Sequence, residues 1–266
     1  MISRPSLSLE SPADLVPDPR FVHFFGLKRS GNHAVIHWLA EGLKTSVDQP
    51  VIHFNNVAGG RPKPHKEMSH INQEIAGVEP GTVILSYEDV SYSERRGQKH
   101  YTNFSGGNNA DVLILRSFPN MMASRFQRIR NIEEQGGASS VQRLGFAAAR
   151  DLWIEYAQHV LGSDETNLTG VLYDKWFKEK EYRDEIGSRW GFDNQDLGID
   201  YVPNNALGSS FDGTSFQGRA QDMRTLDRWQ AIADDAEHRY MYATLVTRQV
   251  VELNEQLFGL DQPTMI

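Results

Sequence analysis

Five short apolar runs recur along the chain, at 21–26, 51–56, 82–89, 111–117 and 168–174. Each reads as a strand: 21–26 is a short apolar, aromatic-rich run and so a buried one, 51–56 is a further candidate, and the last three are apolar stretches with polar ends. Helical periodicity fills the gaps after 21–26 and after 111–117, while the segment from Val57, with turn residues and cations, reads as a long loop. Strands of this kind, separated by helices, predict an α/β fold: a central parallel sheet flanked by helices on both sides. No internal repeat, low-complexity tract or second-domain boundary is visible, and 266 residues suit one domain. Residues 1–20, rich in Pro and Ser, read as an irregular lead-in.

The helices are expected in four places besides the first crossover. That first helix starts near Asn32, with Val35, Trp38, Leu39 and Leu43 on one face. Asn32 suits its N-cap or first turn. A second follows Phe118 and Pro119, Pro being suited to a first turn. A third covers about 139–162, with Leu144, Ala148, Leu152 and Tyr156 four apart. Two more cover about 175–190 and 235–258, the last with Tyr242, Leu245, Val246, Val250, Leu253 and Leu257 on one face.

Composition excludes several function classes. The net charge of -8 argues against a general nucleic-acid binder. There is no Cys, so disulfides, thiolate metal sites and Cys nucleophiles are excluded. The first twenty residues contain no apolar signal-type segment, and no run approaches the roughly 18 apolar residues of a membrane span. A cytoplasmic enzyme is the expectation.

In a parallel sheet, ligands bind at the carboxyl ends of the strands. Lys28 and Arg29, Tyr87 and Glu88, Arg116, and Tyr173 stand at those ends and are expected along one edge. The first of these ends carries a loop with Gly26-x4-Gly31 spacing, that of a phosphate-binding loop. Its backbone amides and the helix N-terminus make an anion cradle. Lys28 and Arg29 add charge, while Ser30 and Asn32 add donors. Asn32 and His33 replace the Lys and Ser or Thr of a metal-bound nucleotide triphosphatase, so an anion needing no metal is the better fit. Farther on, Arg116 ends a strand and Ser124 follows eight residues later on a helix. An Arg fork and a hydroxyl can share one phosphate.

Together these elements resemble the PAPS-dependent sulfotransferase family, where PAPS is 3'-phosphoadenosine 5'-phosphosulfate. "KRSGNHA" (28–34) is similar to the family's "PKSGTTW" loop for the 5'-phosphosulfate, with Ser30 and Gly31 aligned. Arg116 and Ser124 match its strand–Arg–x7–Ser element for the 3'-phosphate. "VLYDKWF" resembles its "YEDL"-type strand end, which puts Tyr173 on the adenine side. "SSFDGTSFQGRAQDMRTLDRW" (209–229) resembles the segment that closes over the 3'-phosphate. There Gln217, Gly218 and Arg219 match its Arg-Lys-Gly stretch, and Phe211 lies in the same segment. Asp227, Arg228 and Trp229 match the helix start after it.

The resemblance covers about 21–229 and implies a single P-loop NTPase-like sulfotransferase domain, with 204–228 as the loop closing on the cofactor. It implies PAPS as donor, PAP as product, no metal, and a hydroxyl-bearing acceptor such as a carbohydrate. The cofactor-binding set is then Lys28, Arg29, Ser30, Gly31, Asn32, His33, Arg116, Ser124, Tyr173, Phe211, Gln217, Gly218 and Arg219. By analogy Arg29 is first, and Lys28 second, to stabilise the oxygen that leaves. No His stands where small-molecule sulfotransferases carry their base, so Glu88 is preferred, with Asp89 and Tyr87 as alternates. His33 either donates to the sulfate or caps its helix; His37 and His53 read as packing residues. Loops 59–67 and 92–107 mix cations with aromatics and are expected on the acceptor side. Two other readings stay open: a magnesium-dependent P-loop kinase or nucleotide hydrolase, with Glu88 or Asp89 on the metal, and a non-catalytic binding protein. The oligomeric state is not legible.

Overall fold

The computed structural model describes residues 20–47, 51–57, 81–96, 109–137, 140–162, 168–202 and 208–259. Its strands are β1 (Arg20–Gly26), β2 (Val51–Phe54), β3 (Thr82–Glu88), β4 (Asn109–Leu115) and β5 (Leu168–Leu172). They form one parallel sheet in the order β2-β3-β1-β4-β5. The chain builds on one side of β1 with β2 and β3, then crosses to the other with β4 and β5. That reversal puts the topological switch point at the carboxyl end of β1, where open α/β sheets bind ligands. There Gly26 pairs with Glu88 on one side and Ile114 on the other.

Nine α-helices surround the sheet among the described residues. They are α1 (Asn32–Val47), α2 (Tyr92–Arg96), α3 (Phe118–Glu134), α4 (Ser140–Leu161), α5 (Tyr173–Lys178), α6 (Lys180–Trp190), α7 (Arg228–Ala231), α8 (Ala236–Leu245) and α9 (Arg248–Phe258). Two short 3-10 turns, Ala220–Asp222 and Thr225–Asp227, precede α7.

Alternation along each strand divides the core. Val22, Phe24, Ile84, Val112 and Ile114 pack against α1, α5 and α6 through Trp38, Trp176 and Trp190. Phe25, Leu85, Leu113 and Leu115 pack against α3, α4, α8 and α9 through Phe118, Phe126, Trp153 and Tyr242. Each such side chain contributes about 1.5–3 kcal/mol by leaving water. The central strands β1, β3 and β4 are buried along most of their length because both faces are covered, whereas the edge strand β2 is half-buried throughout.

Several boundaries differ from the sequence reading. β4 starts two residues earlier than expected and stops before Arg116, and β5 stops before Tyr173, which opens α5. The helix expected over 175–190 is two helices broken at Glu179. Buried Arg183 anchors that break, donating to the Trp176 carbonyl at 2.7 Å and pairing with Asp196. The helix expected over 235–258 breaks at Val246 and Thr247, where the Thr247 hydroxyl caps α9 by accepting from Val250 N at 3.3 Å. β2 ends at Phe54, two residues early, and the Asn56 amide turns to the Ser86 hydroxyl at 3.0 Å. Of the loop expected over 92–107, Tyr92–Arg96 is helix α2, and 97–107 lies outside the described residues, as does the loop 59–67. Among the described residues no helix is long and apolar enough to cross a membrane.

Candidate functional site

Beyond Gly26 the chain turns sharply, with Ser30 N donating to Leu27 O at 3.1 Å. Arg29 (φ 71) and Gly31 (φ 88) are both left-handed. A Cβ on Gly31 would stand 2.1 Å from the Tyr173 ring, and one on Gly26 would stand 2.1 Å from Asn32 Oδ1. The two glycines thus permit two close approaches. At the head of α1, the amides of Ala34 and Val35 both turn back to the Gly31 carbonyl. Among the described residues, those of Gly31, Asn32 and His33 have no acceptor. They stand at the positive end of a 16-residue helix, an arrangement that favours anions.

The second sequence element meets the first directly. Arg116 is buried just past β4, and its Nη1 donates to the Ser124 hydroxyl at 3.0 Å and to the Arg29 carbonyl at 3.0 Å. Its Nη2 donates to the Thr225 carbonyl, while Nε has no partner. The guanidinium lies 5.3 Å from the Tyr173 ring centre. Burial lowers its pKa, and the neighbouring Tyr173 and Asp174 oppose this. Asp174 also accepts from the Ser117 amide at 3.0 Å and hydroxyl at 2.6 Å, locking the start of α3 onto the start of α5.

The two cations of the loop have different surroundings. Lys28 is half-exposed, with Nζ 3.3 Å from Asp89, which also accepts from the Lys28 amide at 2.9 Å. Asp89 holds Arg125 as well. Burial alone would raise the Asp89 carboxyl; Arg125 and Lys28 hold it below its usual value. Arg29 is mostly enclosed and donates to the Gly208 carbonyl at 3.3 Å. Burial, then repulsion from Arg128 and Arg125 against attraction by Glu88, brings its pKa down to about 10. It is still charged at neutral pH.

Of the three candidate bases, Glu88 alone lines the cavity described below. Its Oε1 accepts from Asn32 Nδ2 at 3.2 Å, and the same amide donates to the Leu27 carbonyl at 3.2 Å. Asn32 therefore ties the loop to β3 and does not cap its own helix. Tyr87 points into the core, where its hydroxyl lies 3.0 Å from His23 Nδ1, and burial pushes its pKa up to about 12. His33 lines the cavity; burial lowers its pKa, Glu88 opposes and Arg29 adds to the fall. His53 bonds Ser86 at 3.0 Å and lies 6.1 Å, centre to centre, from His33. His37 packs on Tyr201 with ring centres 4.0 Å apart.

These groups open on a cavity of about 490 Å³. Lys28, Arg29, Gly31, Asn32, His33 and Glu88 form one wall, with Arg116, Ser124 and Tyr173 beside them. Trp176, Phe177, Ile199 and Tyr201 make an apolar side, and Ser209, Ser210, Thr225 and Arg228 complete it.

Not every expected residue is there. Ser30 is fully buried behind the loop, its hydroxyl without a partner. Phe211 faces a smaller neighbouring cavity and lies under Arg228, 4.6 Å from its guanidinium. Gln217, Gly218 and Arg219 are exposed and line neither cavity. Gln217 Oε1 accepts from Val202 N at 2.9 Å, Gly218 N donates to Asp200 O at 3.0 Å, and Arg219 sits over Phe216 at 5.2 Å. The cation brought to the cavity from this segment is Arg228, buried, paired with Asp212 and bonded to Ser209 Oγ at 3.2 Å. Its sequence signal was the Asp227-Arg228-Trp229 helix start, at which Arg228 opens α7. Trp176 also lines the cavity and was missed, though it stands one turn beyond Tyr173. Among the described residues no cluster of His, Asp and Glu could hold a metal ion.

No family model matches this chain, and no curated protein matches it. Among solved structures it is similar to the sulfotransferase domain from the Synechococcus PCC 7002 olefin synthase, at 14% identity and a TM-score of 0.46, over 92% of this chain and 97% of that one. It is also similar to the sulfotransferase domain from the curacin biosynthetic pathway, at 12% identity and a TM-score of 0.47, over 92% of this chain and 99% of that one. Both matches are distant in sequence and concern the course of the chain only.

Proposed function

We propose that this protein is a sulfotransferase that takes a sulfuryl group from PAPS and passes it to a hydroxyl-bearing acceptor. One observation carries the reading. Arg116 Nη1 donates both to the Arg29 carbonyl, in the glycine loop, and to the Ser124 hydroxyl on α3. Two anion-binding elements therefore open on one cavity, as a nucleotide with phosphate at both 5' and 3' positions requires.

The residues present suit such a ligand. Arg116 Nε and Trp176 Nε1 belong to cavity-lining residues and are buried donors without a partner among the described residues. Groups of that kind are satisfied by a polar ligand. The volume of about 490 Å³ falls in the range of small-molecule sites, about 300–1,000 Å³. Tyr173 and Trp176, nearly parallel with ring centres 5.7 Å apart, offer an aromatic wall for a flat base.

When bound, PAPS supplies the sulfuryl group and leaves as a bisphosphate. The chain's own part is positioning and charge neutralisation. Arg29 is the better candidate to stabilise the leaving oxygen, because Lys28 is paired with Asp89 whereas the Arg29 guanidinium, among the described residues, donates to the Gly208 carbonyl and is paired with no carboxylate. Amides at the head of α1 add fixed donors. Glu88 would receive the proton of the acceptor hydroxyl, with Asn32 setting its orientation. The segment 208–228 forms the closing wall of a single domain. A carbohydrate or other polyhydroxyl acceptor fits the polar mouth around Lys28, His33 and Asn55.

Magnesium-dependent phosphoryl transfer is the weaker reading. Asn32 and His33 stand where such an enzyme carries its Lys and its Ser or Thr, and the Asn32 amide is turned to Leu27 and Glu88. Calorimetry with PAP and with adenosine 5'-monophosphate is the test. PAP should bind at least about tenfold more tightly, a difference of about 1.4 kcal/mol. Equal affinity, or tighter binding of magnesium ATP, overturns the reading.

A further inference from the structure

A second cavity of about 200 Å³ lies between α3 and the 208–213 segment. Arg29, Ser209 and Ser210 line both cavities, so the two share a wall. The smaller one adds Arg128 and Asn131 from α3 and Gln135 just past its end. Its frame is fixed: Gln127 Nε2 donates to Asn131 Oδ1 at 2.8 Å, and Asn131 Nδ2 donates to the Ser210 carbonyl at 2.8 Å.

The charge balance of this cavity is uneven. Three arginines follow one another on α3. Arg125 is paired with Asp89 and Arg130 with Asp235. Arg128, between them, has no carboxylate partner among the described residues, and no carboxylate lines the cavity it faces. Arg29 lines the same cavity and is repelled by Arg128. The Ser210 hydroxyl, 7% exposed as a residue, has no partner. Two like charges and a free hydroxyl around an enclosed space are the chemistry of an oxyanion site.

We propose that this smaller cavity is a second anion site, separate from the donor's, and that it takes a carboxylate, sulfate or phosphate group carried by the acceptor. The acceptor half of this statement rests on the sulfotransferase reading. It makes the acceptor an anionic hydroxyl compound. Arg29 then faces the donor on one side and the acceptor's charge on the other.

The test is calorimetric titration of inorganic sulfate into the full chain, alone and saturated with PAP, for wild type, Arg128→Gln and Arg128→Lys. Saturable sulfate binding should persist with PAP bound, weaken at least tenfold in Arg128→Gln, and largely return in Arg128→Lys. PAP affinity should be alike in all three proteins. Equal sulfate affinity in wild type and Arg128→Gln, or no saturable binding, overturns the second site. A tenfold loss of PAP affinity in Arg128→Gln gives the cavity to the donor's phosphate and overturns the acceptor assignment. Failure of wild type to bind PAP overturns the donor reading instead, and the titration without nucleotide still decides the cavity.

Discussion

The side-chain amide of Asn32 stands 3.2 Å from Glu88 Oε1, joining the first residue of α1 to the last residue of β3. General-base catalysis contributes about 10²–10⁴-fold, so Glu88→Gln should lower turnover by that much while PAP still binds. Asn32→Ala leaves the carboxylate without its orienting donor. A hydrogen bond to a charged group is worth about 1.5–3 kcal/mol, so turnover should fall about tenfold to a hundredfold. Steady-state kinetics beside PAP titration separates the two effects; a Glu88→Gln enzyme of normal turnover would remove Glu88 from the chemistry.

Ser124 is the milder probe of the 3'-phosphate side. Ser124→Ala removes one hydroxyl worth about 1 kcal/mol, so PAP affinity should fall about fivefold and that for adenosine 5'-monophosphate should hold. Arg116→Ala goes further. It leaves the carbonyls of Arg29 and Thr225 without their donor, and each buried group so orphaned costs about 1–3 kcal/mol. Loss of stability is expected along with loss of PAP binding, read by denaturant unfolding and calorimetry.

Gly31→Ala is expected to be severe. The new methyl would meet the Tyr173 ring at 2.1 Å, in a backbone conformation with φ 88. Either Tyr173 moves off Arg116 or the loop rises from the head of α1. PAP affinity should fall at least about tenfold, or about 1.4 kcal/mol. Unchanged binding would mean that the loop is not part of the site.

Acid should destabilise the fold before its carboxylates titrate. Burial holds His23 down to about 4, with Asp111 opposing and Arg95 adding; burial, with His33 nearby, holds His53 to about 4. Both have unfolded values near 6.5, so the unfolded chain takes up protons first as pH falls. Stability is therefore full above about pH 6.5 and is lost toward pH 4, on the order of 3 kcal/mol for His23 alone. His23→Gln should flatten that slope in denaturant midpoints measured between the two limits. An equal slope in the variant would show that other groups titrate there.

Arg29 holds a left-handed conformation with φ 71, which costs an L-residue about 1–2 kcal/mol and glycine almost nothing. Arg29→Gly should therefore be more stable than Arg29→Ala by about 1 kcal/mol, with both equally poor in transfer. Thermal unfolding of the two variants decides it.

The central strands were legible because burial on both faces leaves an apolar stretch in each, while the half-buried edge strand β2 carried a shorter one. The helix breaks at Glu179 and Val246 were not, since apolar periodicity passes through both while local hydrogen bonds interrupt the backbone. Arg116 and Ser124 could be read as a pair because one strand end and the next helix carry both. The link of Asn32 to Glu88 spans two strands and depends on their register, which spacing along the chain does not encode. Ser209 lies in irregular backbone, and Arg228 opens a helix of a single turn, too short for a period to mark its inward side. Gln217, Gly218 and Arg219 looked like the closing stretch by resemblance, yet in the structure they hold Val202, Asp200 and Phe216.

The Thr225 carbonyl occupies Nη2 of Arg116, the nitrogen next to the unpartnered Nε. Under the proposed chemistry, the protein thus carries its own stand-in for the nucleotide's phosphate. A buried guanidinium with no acceptor on its Nε and Nη2 edge would resist the departure of product. With a carbonyl ready to return, release becomes an exchange of one oxygen for another. Entry and exit would then be governed by the 3-10 turn at Thr225–Asp227, some distance along the chain from any group that touches sulfur.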